Sequence, residues 1–259
     1  MTALVRAQLH DRRRSLLAWG LPIGLMSAFI VAIFPSVEDA LGKAVRDYPA
    51  ELKEAFGIGE LSTVEQYLEA EMLSLIVPLA LGYLAVRSLA SGLSGAAESG
   101  RLDVLLSAPV SRSRLVAAGF AATAIELAAV LAVSLLLTAI GSWLSSAGLS
   151  FGPALAGFAN VWPLALLFAG FGVVVTGFSL RTSVVTGSVA GILVAMYVVD
   201  LVGRLDTSLD WVRYSSVFRY YGKAIEDGID PLAFCGIVVV ATALAALGAL
   251  IFERRDLSS

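Results

Sequence analysis

The chain has 259 residues, of which 58% are hydrophobic and only 15% charged, with a mean hydropathy of +0.85, whereas a soluble domain carries about 25% charged residues. Its formal charge of −3 comes without any basic footprint for nucleic acid, and in so apolar a chain the placement of Lys and Arg matters more than their sum. Cys235 and His10 are the only residues of their kinds, which excludes an intrachain disulfide and argues against a Cys/His metal site.

The apolar residues fall in long runs with charges gathered between them, so the implied solvent is a bilayer. Runs of about 20 residues suffice for a helix to cross about 30 Å of hydrocarbon. They predict an all-α, polytopic membrane domain with six spans near 16–35, 70–92, 115–141, 156–180, 182–202 and 231–252. Ahead of the first span, Leu4, Val5, Leu9 and Leu16 with Arg6, Arg12, Arg13 and Arg14 suit an amphipathic helix on the membrane face, and a plain orientation signal explains the arginines equally well. A signal peptide is disfavoured, because the stretch from Ser15 to Phe34 is long enough to span and no small-x-small cleavage site closes it.

After the first span, Val37, Ala40, Leu41, Ala44, Val45 and Tyr48 recur at helical spacing and predict an amphipathic helix in the first outer loop. Ser62 and Glu65 fit a capping box, from which a helix is expected to run unbroken into the second span. Pro22, Pro78 and Pro163 lie inside spans, where each removes a backbone hydrogen bond and predicts a kink. In the third span Glu126 stands alone, and a central carboxylate costs about 2.5–3.5 kcal/mol on insertion scales, so it needs a partner. Arg87, near the inner end of the second span, is the basic candidate; the pair reads either as a pathway or gating contact or as a structural bridge.

Arg181, Thr182 and Ser183 separate the fourth and fifth spans, and a tight turn is expected because one continuous helix would reach roughly 70 Å. Gly187 and Gly191 form a GxxxG pattern that admits a close helix neighbour, although generic packing accounts for it as well. Between 203 and 230, Trp211, Tyr214, Phe218 and Tyr221 suit a short helix or re-entrant piece anchored at headgroup level. Basic residues set the orientation. With both termini cytoplasmic, the inner side receives Arg6, Arg12, Arg13, Arg14, Arg87, Arg101, Arg112, Arg114, Arg181, Arg254 and Arg255, as the positive-inside rule favours.

The segment from Glu98 to Arg114 joins the second and third spans on that inner side. Leu102, Leu105 and Leu106 form an apolar stripe, Glu98 sits in the first turn where the helix dipole favours an anion, and Pro109 marks the stop. Such a helix serves either to rest on lipid headgroups or to enter a groove on a cytoplasmic protein, and the mixed set Glu98, Arg101 and Asp103 favours the protein. The string resembles the E-x-G-x-L-(D/E)-x-L-L-(S/A)-x-P-V-S-R segment of bacterial type-2 ATP-binding-cassette (ABC) exporter permeases, with Glu98, Gly100, Leu102, Asp103, Leu105, Leu106, Pro109, Val110, Ser111 and Arg112 in register. The likeness extends to the basic N-terminal helix, the six spans, Tyr48-Pro49 and Phe56-Gly57 in the outer loop, and the Arg254-Arg255-Asp256 ending, while Ala117-Ala118-Gly119 stands where such permeases carry a Lys.

The resemblance implies a coupling helix, residues 98–110, seated in a separate ATPase subunit that binds ATP and Mg, with no cofactor on this chain. It implies a second permease copy or homologue, surrounding lipid, and a bacterial cell membrane. No phosphate loop, HExxH, paired-cysteine spacing or GxSxG elbow is present, so the chain reads as no enzyme and as having no metal site. The expected cargo is a hydrophobic or amphipathic drug or antibiotic, then a lipid, then an ion or cofactor-assembly species. A channel or secondary carrier working without ATP is the alternative, though internal inverted repeats and further intramembrane ligands are not seen.

Overall fold

A computed structural model of the chain describes residues 2–46, 63–98 and 111–254. Among these the secondary structure is helical, with no strand. Helix α1 (Thr2–Asp11) turns at Arg12 into α2 (Arg13–Arg46); α3 (Val64–Leu68) widens into a π turn over Glu69–Leu73 and leads to α4 (Ile76–Glu98). Then follow α5 (Arg112–Ser145), α6 (Phe151–Phe178) and α7 (Thr182–Leu205). A 3-10 stretch (Thr207–Ser215) and two short helices, α8 (Val217–Tyr221) and α9 (Ala224–Asp227), precede α10 (Pro231–Glu253).

Among the described residues five helices are long and apolar enough to cross a bilayer: α2 over Arg13–Glu38, α5, α6, α7 and α10. A sixth crossing exists if Val64–Leu73 and Ile76–Gly92, bent by 40°, are taken as one. The unbroken helix expected from Ser62 into the second span is therefore corrected to a broken one. Proline is the physical reason: Pro78 has no N–H for the Ser74 carbonyl and its ring clashes there. The chain adapts by widening the preceding turn, where both the N–H and the hydroxyl of Ser74 donate to the Glu69 carbonyl at 2.8 Å, and the regular ladder resumes with Leu79 N–H on Leu75. The cap also lies one residue on, with Thr63 accepting from Gln66 N–H, while Ser62 is outside the described residues. The amphipathic helix expected after the first span is not separate, because α2 continues through Pro35 to Arg46; Tyr48 lies outside the described residues. The tight turn at Arg181 is as expected, and α7 starts at Thr182.

Two close seams organise the bundle. Along α2 and α5, a Cβ at Gly20 would stand 3.2 Å from Val133, one at Gly24 2.7 Å from Leu137, and one at Gly141 2.7 Å from Ala28, so the helices run parallel with contacts at every fourth residue. A Cβ at Gly170 on α6 would meet the Ala241 carbonyl at 2.7 Å, and one at Gly248 on α10 would meet the Val173 backbone at 2.6 Å, so α10 lies backbone to backbone on α6. Small residues give membrane helices this approach, where lipid supplies no hydrophobic drive between them. Gly187 and Gly191 are different: a Cβ at either meets nothing within 4 Å, so the GxxxG pattern forms no seam within the chain. Helix α6, apolar on all sides, is the centre, with 72% of its apolar window buried against 22% for α7 and for α10.

Candidate functional site

Both ends of the predicted coupling segment are described. Glu98 closes α4 and Arg112 opens α5, whose N-cap Ser111 accepts from Arg114 N–H. Gly100, Arg101, Leu102, Asp103, Leu105, Leu106 and Pro109 lie outside the described residues. The parallel packing of α5 on α2 puts the start of α5 at the same end of the bundle as α1, and α1 packs on α5. On α1, Leu4, Val5 and Leu9 are half-buried and Arg6 is exposed, the division expected of an amphipathic helix laid against the bundle. The end of α10 reaches the same place, with the Ser113 hydroxyl donating to Glu253 Oε1 at 2.8 Å. Beneath it Phe252 is buried with Leu89, Leu115, Val116 and Val173, so α4, α5, α6 and α10 share one apolar contact just under the coupling segment.

Further along α5 lies the polar centre of this end. Glu126 is 2% exposed, and its partner is Arg12 rather than Arg87: Arg12 Nη1 stands 3.0 Å from Glu126 Oε2. The same nitrogen donates to Thr123 Oγ1 at 2.7 Å, and Nη2 donates to the Ser88 carbonyl at 3.0 Å. Arg87 is exposed and takes no part in the bridge. The reason is geometric. The turn between α1 and α2 places Arg12 where its guanidinium drops between α4 and α5, and Gly92 leaves room for it, since a Cβ there would stand 3.2 Å from Nη2. Arg13 and Arg14 point outward and are exposed, so three consecutive arginines have separate fates that composition alone does not distinguish. The cluster ties the α1–α2 corner to both helices that lead into and out of the coupling segment. Glu126 Oε1 is buried without a hydrogen-bond partner, so the bridge acts through Oε2 alone on the Glu126 side.

Two further groups sit at the opposite end. Asp200, 2% exposed, pairs with Arg204 one turn on and with Arg213 Nε at 3.0 Å, and Asp210 accepts from Arg213 at 2.8 Å and Arg219 at 3.0 Å. The hydrogen bond from Arg213 outweighs the opposing effect of desolvation and, joined by the hydrogen bond and charge of Arg219, holds the Asp210 carboxyl below the ordinary aspartate range. Burial pulls the Arg213 guanidinium down, but its bonds to Asp200 and Asp210 outweigh that and raise it. Arg219 also lies 4.0 Å over the Tyr214 ring. The four aromatics of this region divide accordingly: Trp211 and Tyr214 are exposed, as headgroup anchors would be, while Phe218 and Tyr221 are buried in the core. The Tyr221 hydroxyl donates to the Leu73 carbonyl at 3.0 Å, and burial, with Glu69 nearby, holds that phenol well above its ordinary range. Asn160 Nδ2 in turn donates to the Tyr221 carbonyl at 2.6 Å.

Sequence reading missed Arg12, Asp200 and Glu69 as buried partners. Asp200 had a visible signal, an acid inside a predicted span with Arg204 at i+4; Arg12 and Glu69 had none, since each borders an apolar run where an exposed charge is equally natural. Among the described residues no group of three His, Cys, Asp or Glu side chains could hold a metal ion.

A family model described as multidrug efflux system permease Rv1217c, C-terminal domain, matches residues 6–253. No curated protein matches the chain.

Proposed function

The chain belongs to the family of that multidrug efflux permease domain, as a permease of an ABC-type efflux system, and from this premise we propose that it forms the membrane pathway through which ATP hydrolysis on a separate subunit drives a hydrophobic or amphipathic compound out of the cell. The ATPase subunit would bind ATP and Mg, residues 98–110 would seat in it as the coupling helix, and a second permease would complete the pathway. The membrane is the bacterial plasma membrane, with the α1 end cytoplasmic. The observation that carries the proposal is the family match across 6–253 together with the convergence of α1, Glu98, Arg112 and Glu253 at one end of the bundle.

In this reading a motion imposed on 98–110 reaches α4 and α5 directly. It reaches α2 through the Arg12–Glu126 bridge and α10 through Ser113–Glu253 and the apolar contact around Phe252. Close-packed helices transmit such displacements as rigid bodies because their interiors are dense and barely compressible. The test is Leu105→Glu in the permease copurified with its ATPase. A charge at the apolar stripe is expected to abolish permease-dependent ATPase activity while membrane insertion stays intact. Full coupling in that variant would overturn the assignment of 98–110.

A further inference from the structure

Arg87 is left over once Glu126 has taken Arg12. Its side chain is exposed, and it has no ion-pair or hydrogen-bond partner among the described residues. It also lies deep. On α4, a Cβ at Gly95 would stand 4.0 Å from Thr182 Oγ1, at the first residue of α7, and one at Gly82 3.0 Å from Leu193, so the two helices run antiparallel. Arg87 lies between these levels, about 12 Å along the axis from Gly95 at the helical rise of about 1.5 Å per residue. An arginine at such depth is costly against lipid, and intramembrane charges face protein or water instead.

The residues beside it show that this face is wet. Among the described side chains between Val77 and Gly95, the exposed ones are Tyr83, Arg87 and Ser91, one turn apart and each carrying a polar atom. Surfaces turned to lipid look different in this chain: large exposed residues are Leu17, Leu25 and Phe29 on α2 and Leu232, Val239 and Leu247 on α10. A helix otherwise buried or half-buried therefore opens along one polar line, as a wall bordering water does. Snorkelling to headgroups beyond Gly95 runs against the geometry, because helical Cα–Cβ bonds tilt toward the N-terminus of their helix, which for α4 is the side of Tyr83. The Tyr83 ring lies 6.1 Å from that of Trp19 on α2, so an aromatic pair stands one turn away on the side toward which the Arg87 stem starts.

The charge of the ligand follows from what this face lacks. No Asp or Glu occurs in α2 before Glu38, in α4 before Glu98 or in α7 before Asp200, and Glu126 on α5 is 2% exposed and already paired with Arg12. An unpaired guanidinium offers a planar fork of donors that matches carboxylate, sulfonate or phosphate oxygens, and adjoining rings accept an apolar body.

We propose that Arg87 receives the anionic head of an amphiphile on the transport pathway, with the Tyr83–Trp19 ring pair against its apolar body. The proposal rests on the export reading above and narrows its cargo to amphiphiles that carry a negative charge. The test uses the permease copurified with its ATPase in nanodiscs, without nucleotide, so that binding is read apart from coupling. The probe is tritiated 1-pyrenebutyrate; 1-pyrenebutanol and 1-pyrenebutylamine are neutral and cationic competitors with the same apolar body, and empty nanodiscs correct for partitioning. Saturable binding is expected, weaker by about ten-fold or more in Arg87→Met, partly kept in Arg87→Lys, and displaced by neither competitor. A second measurement reads water access: in a Cys235→Ser background, Arg87→Cys should react with a charged methanethiosulfonate far faster than Leu25→Cys.

Absent binding, as when an acid of the second permease occupies Arg87, would overturn the site. So would equal affinity in Arg87→Met, displacement by either competitor, or an Arg87→Cys no more reactive than Leu25→Cys. Such a failure with Leu105→Glu still abolishing ATPase coupling would refute the anion site alone, whereas intact coupling in Leu105→Glu would strike the export reading instead.

Discussion

Replacing Arg12 by methionine keeps most of the side-chain volume and removes the charge. Three hydrogen bonds disappear, to Glu126, Thr123 and the Ser88 carbonyl, and Glu126 is left as an uncompensated buried carboxylate. Stripping one partner from a buried pair costs about 3–5 kcal/mol, because the remaining charge keeps its desolvation penalty. Removing both charges, Arg12→Met with Glu126→Met, is expected to recover most of that loss, since an apolar pair of similar volume has nothing to desolvate. Arg13→Met and Arg14→Met are the controls: both arginines are exposed, and such substitutions change stability by roughly 0.5 kcal/mol or less. The assay is a double-mutant cycle on detergent-solubilised protein, read as the denaturant dependence of unfolding or, where that is irreversible, as inactivation rate. A coupling energy near zero, or an Arg12→Met loss no larger than that of Arg13→Met, would refute the reasoning. The same variants separate structure from function, because in the proposed scheme the doubly substituted protein is stable yet transports poorly, its α1–α2 corner no longer tied electrostatically to α4 and α5.

The glycine seams make a sharper contrast. Gly248→Val puts a branched side chain 2.6 Å from the Val173 backbone, which cannot step aside; overpacking of this kind costs about 1–3 kcal/mol or more, and loss of monodisperse protein on size exclusion checks it. Gly187→Ala, where nothing lies within 4 Å, should leave the isolated chain's stability unchanged by the same measurement. The charge network beyond α7 responds to pH in one direction. Asp210 has its folded pKa depressed below 3.8, so its contribution is complete above that value and is lost only as pH falls through the lower folded value. In a variant retaining Trp211 as its single tryptophan, emission should hold constant down to about pH 4.5 and shift only in stronger acid, and Asp210→Asn should remove that acid transition.

The membrane class was legible because it rests on counts along the chain: five of the six apolar runs reappear in helices long enough to span, the run near 70–92 is split at the π turn, and the turn at Arg181 follows from length alone. The break in the second crossing was half legible. Pro78 signalled a defect, yet whether a proline bends, kinks or widens a helix depends on how the turn before it can be packed, and here Ser74 supplies both donors that make the π turn workable.

What the sequence by itself determined is the helical membrane class and the long apolar helices α2, α5, α6, α7 and α10, because a backbone in lipid must satisfy its own hydrogen bonds and only apolar runs of sufficient length can do so. Which charges meet was decided by tertiary structure alone. Glu126 required a cation, and Arg87, Arg12, Arg13 and Arg14 were all chemically adequate; only the corner between α1 and α2, with Gly92 opposite, delivers Arg12 to it. Pairing depends on the relative rotation and depth of three helices, and a one-residue turn of about 100° about any axis would have chosen a different arginine.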